Sequence, residues 1–215
     1  MYYYKVLLVG ASGGGKTYSF RNMNRERTVF INIENKPLPF AGDFKIHKVP
    51  KSILEVIQFI NKSSNTENID SVVIDSFSAY VDKLLSDARK VKKGYDVWNY
   101  YNEHIGLLHE AIKECNKTIF VTSHFEVVTD ELGGQKGRKV KVKGNEWAGF
   151  IEKDYTIVLY AESRPVLGKR PEYFFTLYND GTNSAKIPPT IFGEDILTIE
   201  NDSNLVLQKI KEFSK

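Results

Sequence analysis

One stretch limits what this chain can become: Gly10-Ala-Ser-Gly-Gly-Gly-Lys16-Thr17. It fits the pattern G-x-x-x-x-G-K-T without a gap and follows the short apolar run Val6 to Val9. The physical reading is a buried strand that opens into a glycine-rich turn. Backbone N–H groups of that turn surround a phosphate, with a helix N-terminus over Thr17 to Asn24 behind them. Lys16 then reaches the β and γ phosphates, and Thr17 places its hydroxyl on Mg²⁺. Gly10, Gly13, Gly14, Gly15 and Tyr18 complete the candidate nucleotide contacts.

Composition narrows the setting. With 215 residues, 41% hydrophobic and 27% charged, the chain reads as one soluble domain long enough for a continuous core. No apolar run approaches a membrane span, and the tyrosine-rich start has no basic n-region, so the expectation is a cytoplasmic protein without membrane contact. The single Cys115 precludes an intramolecular disulfide and a cysteine-cluster metal site, and reads as an apolar helix residue. A net charge of +3 says nothing about nucleic acid by itself.

In chain order, Thr28 to Ile33 reads as a second buried strand, ending in Glu34-Asn35, and a proline-bearing loop runs on to Pro50. Ser52 and Glu55 form a capping-box pair for a helix over 52–61 with Ile53, Val56, Ile57 and Ile60 on one face. Ser71 to Asp75 is a short apolar run that ends in a carboxylate, and Phe77 to Val91 reads as partly helical. Trp98, Tyr101, Ile105, Leu108, Ile112 and Cys115 recur at three and four, the spacing of a long helix packed on a sheet. Thr118 to Thr122 is a fourth strand, ending in Ser123-His124. This alternation predicts an α/β fold with a mostly parallel, doubly wound sheet, whose ligands collect at the C-terminal strand ends. From Glu126 the pattern changes: Gly133, Gly134 and Gly137 interrupt a segment without apolar periodicity up to Trp147. Strands are expected at Tyr155 to Ala161 and Tyr173 to Leu177, giving a C-terminal antiparallel extension, and Leu205, Val206, Ile210 and Phe213 suggest a closing helix.

The strand ends carry the chemistry. A triphosphatase needs a second acidic anchor for Mg²⁺, and Asp75 after Val72-Val73-Ile74 is the candidate. Many such enzymes keep a glutamate directly after that aspartate, but Ser76 stands there, so the base must come from another strand end. Glu34 is the candidate. His124 is placed to hydrogen-bond the γ-phosphate or the attacking water and to report nucleotide state to the segment behind it. No Asn-Lys-x-Asp motif occurs, which argues against a GTPase. A small-molecule or nucleoside kinase remains an alternative, with Gly133 to Lys143 as its lid, as does a nucleotide-switched scaffold that binds without turnover.

Together, the phosphate loop, Glu34, Ile74-Asp75-Ser76 and Ser123-His124 resemble the RecA-like recombinase core. More narrowly, they resemble the small phage-encoded RecA-like ATPases associated with single-strand annealing recombination. The resemblance spans roughly residues 4–190. It implies ATP and Mg²⁺ as ligands, Glu34 as the catalytic glutamate and His124 as the γ-phosphate sensor. It also implies a mobile DNA-binding loop over Thr129 to Gly149, and a further loop within Leu84 to Asp96 where Arg89, Lys90, Lys92 and Lys93 cluster. Five basic residues fall within 136–143, namely Lys136, Arg138, Lys139, Lys141 and Lys143, and with Trp147 as a stacking platform they suggest a single-stranded DNA site.

The family places ATP between subunits and completes the site with late basic residues, which here are Arg164, Lys169, Arg170 and Lys186. The phosphate loop already begins at residue 10, so neither an N-terminal oligomerisation extension nor a separate C-terminal DNA-binding domain is expected. A ring, a short nucleotide-dependent homo-oligomer and a monomer assisting a recombination or single-strand-binding protein all remain open. If phage-encoded, the protein works in the host cytoplasm.

Overall fold

A computed structural model describes residues 3–129, 131 and 133–214. Ten strands and four α-helices follow in the order β1 (Lys5–Val9), β2 (Thr28–Asn32), β3 (Ile46–Lys48), α1 (Ile53–Ser64), β4 (Ser71–Asp75), α2 (Phe77–Val91), α3 (Asp96–Glu114), β5 (Thr118–Ser123), β6 (Phe125–Thr129), β7 (Gln135–Val140), β8 (Ile157–Arg164), β9 (Glu172–Thr176), β10 (Thr198–Glu200) and α4 (Ser203–Phe213). Eight strands form one sheet in the order β10-β9-β8-β1-β5-β4-β2-β3. From β3 to β8 the pairing is parallel. β9 and β10 add the antiparallel edge.

Alternation along the strands sends side chains to two cores. Leu7, Val9, Val29, Ile31, Val72, Ile74, Ile119 and Val121 meet the apolar faces of α1, α2 and α3. Val6, Leu8, Phe30, Val73, Phe120, Ile157 and Leu159 face the other way, against Phe20, Phe44 and Val206, Leu207 and Ile210 of α4. Burying both faces is what a parallel sheet requires, and each fully buried Val, Leu, Ile or Phe contributes about 1.5–3 kcal/mol.

Local signals explain most elements. Ser52 Oγ accepts from Glu55 N at 3.3 Å, and Glu55 Oε2 accepts from Lys51 N at 2.7 Å, so the expected capping pair starts α1 with the glutamate reaching one residue further back. Ser76 caps α2 by accepting from Ala79 N. The segment from Phe77 is helical throughout rather than in part, because Phe77, Tyr80, Val81, Leu84, Leu85 and Ala88 form a continuous buried stripe.

Two expectations need correction. No helix runs over Thr17 to Asn24; a single 3₁₀ turn, Thr17–Phe20, follows the phosphate loop instead. Residues 200–203 hold it in place: Arg21 bonds to Glu200 Oε1 and to Asn201 O, Asn22 to Asp202, and Ser19 Oγ lies 2.7 Å from Ser203 Oγ. The segment 129–149, expected as a mobile loop, contains the strand β7. β6 and β7 pair as an antiparallel hairpin, because Phe125 and Val140 oppose each other at its root. That segment includes Asp130 and Leu132, which lie outside the described residues.

Candidate functional site

Strand order brings four strand ends together: β1 and β5 are neighbours, β4 pairs with β5, and β2 with β4. Gly10 N donates to Ser123 O at 3.1 Å, tying the phosphate loop to the end of β5. A Cβ on Gly10 would stand 2.5 Å from the Ala161 carbonyl oxygen, so only glycine lets the chain turn that close to β8. Gly15 sits at φ +88°, and a Cβ there would meet Tyr173 Cδ1 at 2.8 Å. Gly10 and Gly14 are thus held close to β8 and Gly15 close to Tyr173 and Asn201, where a side chain would collide, while Gly13 at φ +76° faces open space.

Lys16 lies inside this loop, 8% exposed, with Nζ donating to the carbonyls of Gly10 and Ala11 at 2.8 Å each. Burial pushes its pKa down to about 8 against the attraction of Asp75 and Glu34. A cation so desolvated gains most from an incoming phosphate. Thr17 Oγ1 donates to Asp75 Oδ2 at 2.9 Å, and Thr122 Oγ1 donates to Asp75 Oδ1. Burial raises the Asp75 pKa, while the bonds from Thr122 and Thr17 oppose the rise. The adjoining hydroxyl and carboxylate oxygens are the hard donors that suit Mg²⁺. Among the described residues no cluster of three or more His, Cys, Asp or Glu side chains could hold a metal. Mg²⁺ here would therefore lean on phosphates and water beside Thr17 and Asp75.

Glu34 follows β2. Its Oε1 accepts from Ser76 Oγ at 2.9 Å, and its Oε2 pairs with Lys36. Burial alone would raise its pKa, but the bonds from Lys36 and Ser76 outweigh it and leave the carboxyl below its ordinary value, ionised at neutral pH. His124 Nδ1 lies 3.4 Å from Lys16 Nζ, and burial together with Lys16 lowers its pKa.

Lys16, Thr17, Tyr18, Glu34, Asp75 and His124 all line one cavity of about 590 Å³, with Gly13, Gly14 and Gly15. Asn32, Lys36, Pro37, Leu38, Pro39, Arg170, Pro171 and Tyr173 line it too. Sequence reading missed most of these. The prolines sat in a segment read as loop, and Tyr173 in a strand whose neighbours were unknown.

The basic candidates are more scattered. Lys136 and Lys141 are exposed. Lys139 pairs with Glu126 at 3.2 Å, and Lys143 lies 3.8 Å from Asp82. Arg138 is committed internally, bonded to Glu162 at 2.7 Å and lying over the rings of Tyr160 and Phe125. Trp147 stacks on His109 with centroids 5.4 Å apart, packed against the main core, so stacking a base would cost that contact. Arg89 and Lys90 are exposed in the last turn of α2, with Lys92 and Lys93 just after it. Arg164 pairs with Glu172, Lys169 is exposed, and Lys186 exchanges backbone bonds with Val158 while its side chain is exposed. Arg170, a candidate for reaching a neighbour, lines this chain's own cavity.

No curated protein matches the chain. A KaiC-like protein from the hyperthermophilic archaeon Pyrococcus horikoshii OT3 is similar in structure at 18% identity and a TM-score of 0.48, with 85% of this chain and 82% of that one covered. A family model described as an AAA domain matches residues 2–188. With its phosphate loop at the head of the parallel sheet, the chain belongs to that AAA domain family of P-loop ATPases.

Proposed function

We propose that this protein is a Mg²⁺-dependent ATPase of the RecA-like class that acts on single-stranded DNA in recombination or replication. The observation that carries the hydrolytic part is the ionised Glu34, held by Ser76 and Lys36 in the same cavity as Lys16, Thr17, Asp75 and His124. Glu34 takes a proton from the attacking water. Ser76 and Lys36 fix the carboxylate's orientation while it does so. Lys16 moves from its backbone carbonyls to the β and γ phosphates and offsets their charge. His124 offers a ring N–H to the γ-phosphate side of the cavity. When bound by Thr17 and Asp75, Mg²⁺ supplies charge neutralisation at the phosphate oxygens.

Support for a nucleic-acid partner comes from the hairpin behind the sensor. His124 directly precedes β6, and Lys141 N, just after β7, donates to His124 O at 2.9 Å. A shift of His124 on losing the γ-phosphate would move the root of a hairpin that presents Lys136, Lys139 and Lys141. Arg164, Lys169 or Lys186 would complete the site of a neighbouring subunit in a homo-oligomer, and a recombination or single-strand-binding protein would be a further partner. The test is phosphate release with and without a single-stranded oligonucleotide, beside anisotropy over a salt series. We expect stimulation, and a log–log salt slope of about −0.7 per phosphate neutralised. Turnover indifferent to DNA, with no salt-sensitive binding, would reject the DNA assignment and leave the ATPase.

A further inference from the structure

Beside the phosphate cavity lies a second one of about 480 Å³, and the two share Tyr18 and Tyr173. Asn201, at the junction of β10 and α4, lines the second one too. Asn201 is 1% exposed, yet neither its side-chain oxygen nor its nitrogen has a hydrogen-bond partner. A buried amide left unpaired at both ends is costly, and a ligand that supplies the missing bonds would recover that cost.

The neighbours of Asn201 sharpen the point. Glu200, Asp202 and Ser203 all spend their side chains on the 3₁₀ turn, through Arg21, Asn22 and Ser19. Arg21 also clamps the Asn201 backbone through its carbonyl oxygen, and Asp202 caps α4 immediately after it. The Asn201 backbone is thus fixed from both sides while its amide is used by nothing. That amide stands against the phosphate loop: a Cβ on Gly15 would lie 3.2 Å from Nδ2 and 3.3 Å from Oδ1, with the Tyr173 ring alongside.

We propose that this second cavity takes the nucleobase of the triphosphate held at Lys16, and that Asn201 is the residue that reads it as adenine. The inference rests on the triphosphate reading of the phosphate loop and adds the base to it. A base that passes Tyr18 and Tyr173 enters a space walled by those rings and Phe174 and by Arg21, Arg164, Glu172 and Glu200, with Arg21 already 4.6 Å from the Tyr18 ring centroid. An asparagine amide matches the adenine edge: Oδ1 accepts from the 6-amino group, and Nδ2 donates to the adjacent ring nitrogen. In this structure the amide is closed off from solvent, so the half-buried Tyr173 ring must turn aside for the base to reach it.

The test removes the hydrogen bond from each side in turn. Competition against a fluorescent ATP analogue gives the affinities of ATP and of purine riboside triphosphate, which lacks only the 6-amino group. The parent protein should favour ATP by at least about tenfold, the usual scale for a lost base contact of this kind. In Asn201→Ala the two should bind alike, with ATP weakened and the melting temperature of the protein without nucleotide no lower than the parent's. Equal binding of both nucleotides to the parent would overturn the assignment whether or not the variant folds, and so would a variant that keeps the parent's preference. A variant that melts earlier while keeping the preference would mark Asn201 as structural. Failure of any triphosphate to bind would instead take down the phosphate-loop reading with it.

Discussion

Ser76 occupies the place where many nucleotide hydrolases carry their base, and its hydroxyl is given to Glu34 on the neighbouring strand end. The carboxylate is therefore supplied by β2 and only oriented from β4. Glu34→Gln should keep ATP and Mg²⁺ binding and slow hydrolysis by at least about 100-fold, a usual scale for losing a general base. Single-turnover phosphate release beside nucleotide titration separates the two effects, and parental turnover in this variant would move the base elsewhere. Lys16→Ala should abolish productive triphosphate binding without unfolding the chain, since burial of this lysine works against its charge rather than for the fold. Calorimetry that shows unchanged affinity would remove Lys16 from the site.

At the scale of elements, the segment from Lys141 to Tyr155 is strapped to α3 through Trp147 on His109, whose Nδ1 lies 3.2 Å from Asp154. Trp147→Ala should cost about 3 kcal/mol in urea unfolding, the lower end for tryptophan truncation because the ring is only partly buried, and leave DNA affinity near the parent's. A normal urea midpoint with weakened DNA binding would return Trp147 to the role of stacking platform. Burial, opposed by Asp154 and reinforced by Lys113 and Lys153, holds the His109 pKa well below the ordinary histidine value. Below about pH 6.5 the unfolded chain then binds a proton that the folded chain does not, so stability is full above that pH and falls as the pH drops, by up to about 1.36 kcal/mol per unit. Chemical denaturation across pH 5 to 7.5 should show this slope in the parent and a shallower one in His109→Gln, the remainder coming from His124, whose pKa is also lowered.

These elements also show where the sequence was legible. The parallel strands and α1 to α3 announce themselves through unbroken apolar runs and three–four spacing. β3 is only Ile46-His-Lys inside a proline-bearing stretch, too short for any pattern. The hairpin of β6 and β7 was hidden because charged and glycine residues dominate it, and only Phe125 and Val140 pin its root. The turn after Thr17 was read as a helix because its support lies in Glu200 to Ser203, nearly the whole chain away. Tyr173, Arg170 and Asn201 enter the nucleotide region through the same long-range closure, which no local spacing reveals.

For the whole molecule, the order β8-β1-β5-β4-β2 sets the phosphate loop beside His124, then Asp75, then Glu34, at one end of the sheet. The same closure brings the β8 to β9 connection, with Arg170, over the chain's own cavity. A site this nearly complete within one chain should retain measurable basal turnover when diluted, with any neighbour's Arg164, Lys169 or Lys186 adding to it. Light scattering alongside activity over a dilution series checks this, and activity that vanishes with the oligomer would make the site a shared one. The central claim is that Lys16, Thr17, Asp75 and Glu34 together hydrolyse Mg²⁺–ATP. Its most direct measurement is steady-state phosphate release from ATP by the parent and by Glu34→Gln, with Mg²⁺ present and then chelated, and with bound nucleotide quantified in the same samples. The account predicts Mg²⁺-dependent release by the parent, and release reduced by about 100-fold or more from a Glu34→Gln protein that still holds ATP; equal release from both proteins, or release indifferent to chelation, would contradict it.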